Sequence, residues 1–243
     1  MRTTFRIVAV ALWTLALVPI TRAEDSDAVK AVKKLGGRVP AGFAVDFDKT
    51  KISDRDLKVL EDFKDLAMLR LSDTKIGDAG LKYVAAQPKL KHLDLNRTRV
   101  TDAGLKELRD LTNMEDLYLD HANITGPGLK ELKDMKKLRH LSLTNTKITD
   151  EALRHLKGLP GLELLVIDGT KITDEGLKNL RGLKSLECIL MKETQITDAG
   201  LRVLQDKKSF EKLHAVDVGK TAVTDAGVQE LRKAYDYKFN VFR

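Results

Sequence analysis

A 24-residue period runs through most of this 243-residue chain and leaves few folds open to it. The stretch Leu90 to Leu111, LKHLDLNRTRVTDAGLKELRDL, shows one unit. Leu90, Leu93 and Leu95 are apolar, while His92, Asp94 and Asn96 are polar, the period of a strand with one buried face. Leu105, Leu108 and Leu111 then follow three apart with charged residues between them, which predicts a short amphipathic helix. Thr101-Asp102 caps the turn. One such unit is too small to bury its own apolar face, so it must stack on copies of itself.

The copies keep phase. A threonine recurs at Thr50, Thr74, Thr98, Thr146, Thr170 and Thr194, with Ala122 in the gap and Thr221 displaced by three extra residues. An acid recurs at Asp54, Asp78, Asp102, Asp150, Asp174, Asp198 and Asp225, and Gly126 holds the missing place. The threonine is expected to bond backbone groups at the turn. The Ser/Thr-Asp pair is expected to supply an N-cap and an acid at the positive helix end. Gly80, Gly104, Gly128, Gly176, Gly200 and Gly227 occupy the first helical turn. Ala152 stands there once, so close packing rather than a left-handed backbone explains the small residues. The fourth copy, HANITGPGL, departs most and reads as drift.

A period of about 20 to 29 residues carrying LxxLxLxxTxI signals a solenoid. The chain resembles leucine-rich repeat proteins over roughly Ala44 to Leu231. Its ITDAGLKxLxxL variant is similar to repeats of bacterial secreted proteins and of ribonuclease-inhibitor-like and F-box-type proteins. The resemblance implies a right-handed, curved α/β solenoid, with a parallel sheet on the concave face and short helices on the convex face. It also implies binding rather than catalysis, with F-box similarity raising a ubiquitin-ligase substrate adaptor as one alternative. There is no F-box segment.

Four stretches are expected: a signal peptide over 1–23, a capping helix and lead-in over 24–43, eight repeats over 44–232 and a C-terminal cap strand over 233–243. Met1 to Arg6 carries two arginines and no acid, and Ile7 to Ile20 is an apolar run of 14. That run is short for a membrane span, which needs ~20 residues. Secretion or a periplasmic location follows, with membrane contact only if the segment is uncleaved. Without 1–23 the chain keeps 40 basic and 36 acidic residues, a balance of +4. One cysteine excludes an internal disulfide framework.

Parallel strands stack about 4.8 Å apart, so equivalent positions form columns on the concave face. The first column is Ala44, Met68, His92, Asp116, His140, Leu164, Cys188, Ala215. The second is Asp46, Arg70, Asp94, Tyr118, Ser142, Val166, Leu190, Asp217. The third is Asp48, Ser72, Asn96, Asp120, Thr144, Asp168, Lys192, Gly219, and the fourth runs from Lys49 and Asp73 to Glu193 and Lys220. Nine acids against five bases make this face negative. Phosphate contacts need clustered Lys and Arg, so nucleic acid is not the expected ligand.

A protein or peptide is expected instead, held by Asp94, Asp116, Tyr118, His140 and the apolar block Leu164, Val166, Cys188 and Leu190. Apolar patches of this kind mark partner sites. Two imidazoles and a carboxylate, His92, Asp116 and His140, raise a metal-binding or hydrolytic site as an alternative. Two strand spacings, about 9.6 Å, separate the histidines, too wide for one ion unless both rings lean over Asp116. No glycine-rich phosphate loop, HExxH or nucleophile elbow is present, and no cofactor or enzymatic activity is expected.

Overall fold

The structure, a computed structural model, describes residues 26–41 and 43–243. The expected signal peptide therefore lies outside the described residues, save that the chain is described from Ser26 onward. Among the described residues no helix is long and apolar enough to cross a membrane.

Among the described residues ten short strands form one sheet in chain order. They are β1 (Arg38–Ala41), β2 (Ala44–Asp46), β3 (Met68–Arg70), β4 (His92–Asp94), β5 (Asp116–Tyr118), β6 (His140–Ser142), β7 (Leu164–Val166), β8 (Cys188–Leu190), β9 (Ala215–Asp217) and β10 (Asn240–Phe242). β1 pairs antiparallel with β2, and every later pairing is parallel. The registers join Met68 to His92, His92 to Asp116, and Asp116 to His140. The column order deduced from the 24-residue spacing is thus the order of the sheet.

The middle residue of each repeat strand points inward. Leu69, Leu93, Leu117, Leu141, Leu165, Ile189 and Val216 are fully buried, and Ile76, Val100, Ile124, Ile148 and Ile172 close the core from the turn side. The core is a continuous aliphatic band shared by neighbours, which is what a stack of incomplete units must build. Phe47 near one end and Phe210 near the other are its large aromatic members. The three extra residues fall after the helix Asp198–Leu204, in the loop that carries Phe210 into the core.

The side opposite the sheet holds short segments, α-helical at Asp102–Leu105, Asp174–Lys178 and Asp198–Leu204. At Asp54–Asp62, Pro127–Asp134 and Asp150–Gly158 they are 3-10 helices instead. A 3-10 helix rises about 2.0 Å per residue against 1.5 Å for an α-helix, so these segments run further along the convex side. The leucine spacing of three suits it, because i and i+3 then eclipse.

The ends differ from the repeats. Helix Asp27–Lys34 is capped by Ser26, whose side chain accepts from the Val29 amide, and it buries Val29 and Val32. Gly36 turns the chain with φ +82°, and a Cβ at Gly37 would lie 2.5 Å from the Phe47 ring. β1 is an addition to what the sequence suggested. Its polar pattern and Pro40 hide it, and proline fits an edge strand that lacks a partner on one side. At the other end β10 pairs with β9, and Phe239 and Val241 are buried beneath helix Asp225–Ala234.

Candidate binding face

Each recurring threonine donates its hydroxyl to the carbonyl three residues before it, at 2.7 Å for Thr98 to Leu95 and 2.6 Å for Thr74 to Leu71. Thr101, Thr173 and Thr197 cap their helices by accepting an amide two residues on. The recurring aspartate does something the sequence reading did not assign. It reaches into the following repeat. Asp78 accepts from the Thr101 amide and hydroxyl at 2.8 and 2.7 Å, and Asp150, Asp174 and Asp198 repeat the pair of bonds. Asp102 takes four, from the Thr125 amide and hydroxyl and the Gly126 and Gly128 amides.

The glycines make room for this carboxylate. A Cβ at Gly80 would lie 2.7 Å from Asp54 Oδ1, and one at Gly128 would lie 2.9 Å from Asp102 Oδ1. At Gly104, Gly176, Gly200 and Gly227 the nearest atom to such a Cβ is again the preceding repeat's aspartate. Where that aspartate is replaced by Gly126, the next glycine becomes Ala152, and a Cβ at Gly126 would meet Ala152 Cβ at 2.5 Å. The fourth copy is therefore not simple drift. Two departures compensate each other.

The third and fourth columns are largely committed to backbone. Asp48, Asn96, Asp120 and Asp168 each accept the amide of the next strand's equivalent residue, at 2.7 to 2.9 Å. Lys49, Asp73, Arg97, His121, Asn145, Glu193 and Lys220 all have φ between +54° and +59°, and Gly169 completes the row at +65°. The fourth column is thus a turn position held left-handed in every repeat, mostly by side chains that the conformation disfavours.

The centre of the face gathers the residues that do not recur. His92 Nδ1 bonds one oxygen of Asp116, and His140 Nδ1 bonds the other at 2.6 Å. Both rings lean over the carboxylate from the flanking strands. Burial raises the Asp116 pKa, but the hydrogen bonds from His140 and His92 outweigh it and hold the group down at about 2. The carboxylate is therefore ionised and both Nδ1 atoms donate. Both oxygens are occupied by protein donors. Among the described residues no group of three or more His, Cys, Asp and Glu has the geometry to hold a metal ion.

Tyr118 stands beside this trio. Burial, with Asp116, Asp94 and Asp120 close by, pushes its phenol well above the usual range. Burial also raises Asp94 to about 6, opposed by the Asn96 amide and helped by Asp48 and Asp120.

The apolar block is brought together by register, Leu164 beside Cys188 and Val166 beside Leu190. Leu164, Val166 and Leu190 are half-buried. Cys188 departs from the expected contact role, for it is 3% exposed and burial lifts its thiol to about 12. Asp116 likewise is 9% exposed and supports the histidines. The accessible members of the expected set are Asp94, Tyr118, His140, Leu164, Val166 and Leu190. Asp120 and Asp168, half-buried on the same face, were placed in the third column but not among the expected contacts.

A leucine-rich repeat family model matches residues 68–85, 86–108 and 134–156. No curated protein matches the chain. Among solved structures, internalin C2 from Listeria monocytogenes is similar over 82% of this chain and 92% of its own, with 23% identity and TM-score 0.56. A second Listeria monocytogenes internalin is similar over 82% of this chain at 20% identity and TM-score 0.56, and the match spans 59% of that longer chain. At such identities the likeness is one of fold, an α/β repeat solenoid with an open sheet.

Proposed function

The chain is a leucine-rich repeat protein, and we propose that it is an exported module binding a protein or peptide on the strand face between β4 and β8. Solenoids offer extended surfaces that suit such ligands, and few of their residues are free of structural duty. The observation that carries the reading is the contrast within the face. The fourth column and one oxygen of each third-column acid serve the backbone, while the first two bring Leu164, Val166 and Leu190 beside His140 of the His92–Asp116–His140 trio, with Tyr118 across Ser142 from Val166. A half-buried aliphatic cluster with polar groups at its edge is how interface centres are composed. Export rests on the N-terminal layout, two arginines followed by the apolar run of 14.

Affinity capture from the extracytoplasmic compartment tests the face. The double variant Val166→Asp, Leu190→Asp is expected to lose the partner that the wild type retains. Equal capture by both, with unchanged circular dichroism, would overturn the proposal. Export is tested by N-terminal sequencing of the protein from that compartment. The expected first residue is Glu24, and an intact Met1 in the cytosol is the contrary result.

A further inference from the structure

Three carboxylates on the face have one oxygen committed and one not. Asp94 Oδ1 accepts the Asn96 amide at 2.9 Å. Asp120 Oδ1 accepts the Ser142 hydroxyl at 2.5 Å and the Thr144 amide at 2.9 Å. Asp168 Oδ1 accepts the Lys192 amide at 2.7 Å. None of the three has an ion-pair partner within 4.0 Å among the described residues, because the nearby cations are engaged elsewhere. Arg70 pairs with Asp46 and Asp48, and Lys192 with Asp217 at 3.3 Å. The three groups are held in place by main-chain donors, yet no salt bridge answers them, Arg70 and Lys192 acting on Asp94 and Asp168 only at longer range, beside an aliphatic cluster that is itself only half covered.

Resting on the binding role proposed above, we infer that the occupant of this face is an extended cationic segment. Its two Lys or Arg side chains take the free Oδ2 atoms of Asp120 and Asp168, with Asp94 adding charge beside the first, and an aliphatic residue on the β8 side of them covers Leu164, Val166 and Leu190. Charge complementarity selects this partner over an acidic or neutral one. Spacing narrows it further. Asp120 on the strand β5 side and Asp168 beyond β7 are two strand spacings apart, about 9.6 Å. A segment in the polyproline II conformation, with a rise of about 3.1 Å per residue and side chains at i and i+3 on one side, covers that distance in about three residues. The segment therefore carries two basic residues about three positions apart.

Panning a random peptide display library over the immobilised full chain tests this, with Asp94→Asn, Asp120→Asn, Asp168→Asn as the counter-selected triple variant. Asparagine keeps a carbonyl oxygen for the amide donors and removes only the charge. The expected consensus has two Lys or Arg about three positions apart with Leu, Ile or Val to one side of them. A soluble peptide of that consensus should bind the wild type about tenfold more tightly than the triple variant. It should also lose affinity as salt rises, a readout that needs no variant. An acidic or uncharged consensus, no enrichment, or binding indifferent to salt would overturn the inference. If Val166→Asp, Leu190→Asp abolishes binding while the triple variant and salt leave it intact, the face binds but not through cations. If none of them matters, both readings fall.

Discussion

The aspartates of this protein fall into two populations with opposite electrostatics. At the repeat junctions Asp102 is partly buried, which alone would raise its pKa, but the Thr125, Gly126 and Gly128 donors turn the shift downward. Asp198 is lowered by the Thr224 amide and hydroxyl. On the strand face burial wins at Asp48, Asp94 and Asp168, all raised, while Asp116, answered by two histidines, is lowered. The residue type is the same. What differs is the balance between burial and the donors aimed at the carboxylate. Junction acids are fully answered within the chain and recur. Among the face acids Asp94, Asp120 and Asp168 are half answered, which is the condition in which an outside cation adds most.

The largest effect expected from disturbing the first population is Gly176→Ala. The added Cβ would press on Asp150, displacing its two bonds to Thr173, at a cost of about 3 kcal/mol by urea unfolding. The double variant Asp150→Gly, Gly176→Ala recreates the native Gly126/Ala152 pair and should recover a good part of that loss. A strictly additive cycle would break the coupling between acid and glycine.

The second population responds to pH with the opposite sign. Asp94 is raised to about 6, so between about pH 6 and 4 the folded chain holds a proton that the unfolded chain releases. Acidification through that window should stabilise the protein through this group by up to about 2 kcal/mol, and Asp94→Asn should remove the gain. Asp116 works the other way, its stabilisation present above about pH 4 and lost as the pH falls towards 2. Chemical denaturation at stepped pH separates the two.

The smallest expected effect concerns the threonine ladder. Thr98→Val removes one hydroxyl bond to the Leu95 carbonyl and should cost about 1 kcal/mol, whereas Ala122→Thr should cost nothing or stabilise by a similar amount. Thermal melts suffice to compare them.

How much of this was legible differs by column. Strand register and the face composition follow from the spacing, because in a stacked solenoid sequence separation converts directly into neighbourhood. The left-handed row at Lys49 to Lys220 was half hidden, since Asp73, His121, Asn145 and Gly169 are types found at positive φ while Lys49, Arg97, Glu193 and Lys220 are not. The junction coupling was present as two departures 26 residues apart, Gly126 and Ala152, but reading it requires knowing that the aspartate serves the next repeat. The lean of His92 and His140 over Asp116 is a matter of side-chain rotamers, which spacing does not determine. β1 lies outside the period and so outside its reach.

The junction aspartate also bears on how such a chain can grow. Each unit carries the acid that completes its successor and the gap that admits its predecessor's acid. A unit copied in place therefore fits its new neighbours at once, which makes duplication structurally cheap along most of the array. The units around Gly126 and Ala152 are the exception. Separated, they would leave either an acid facing a methyl group or a turn without its acceptor, so they can be duplicated, deleted or transplanted only as a pair.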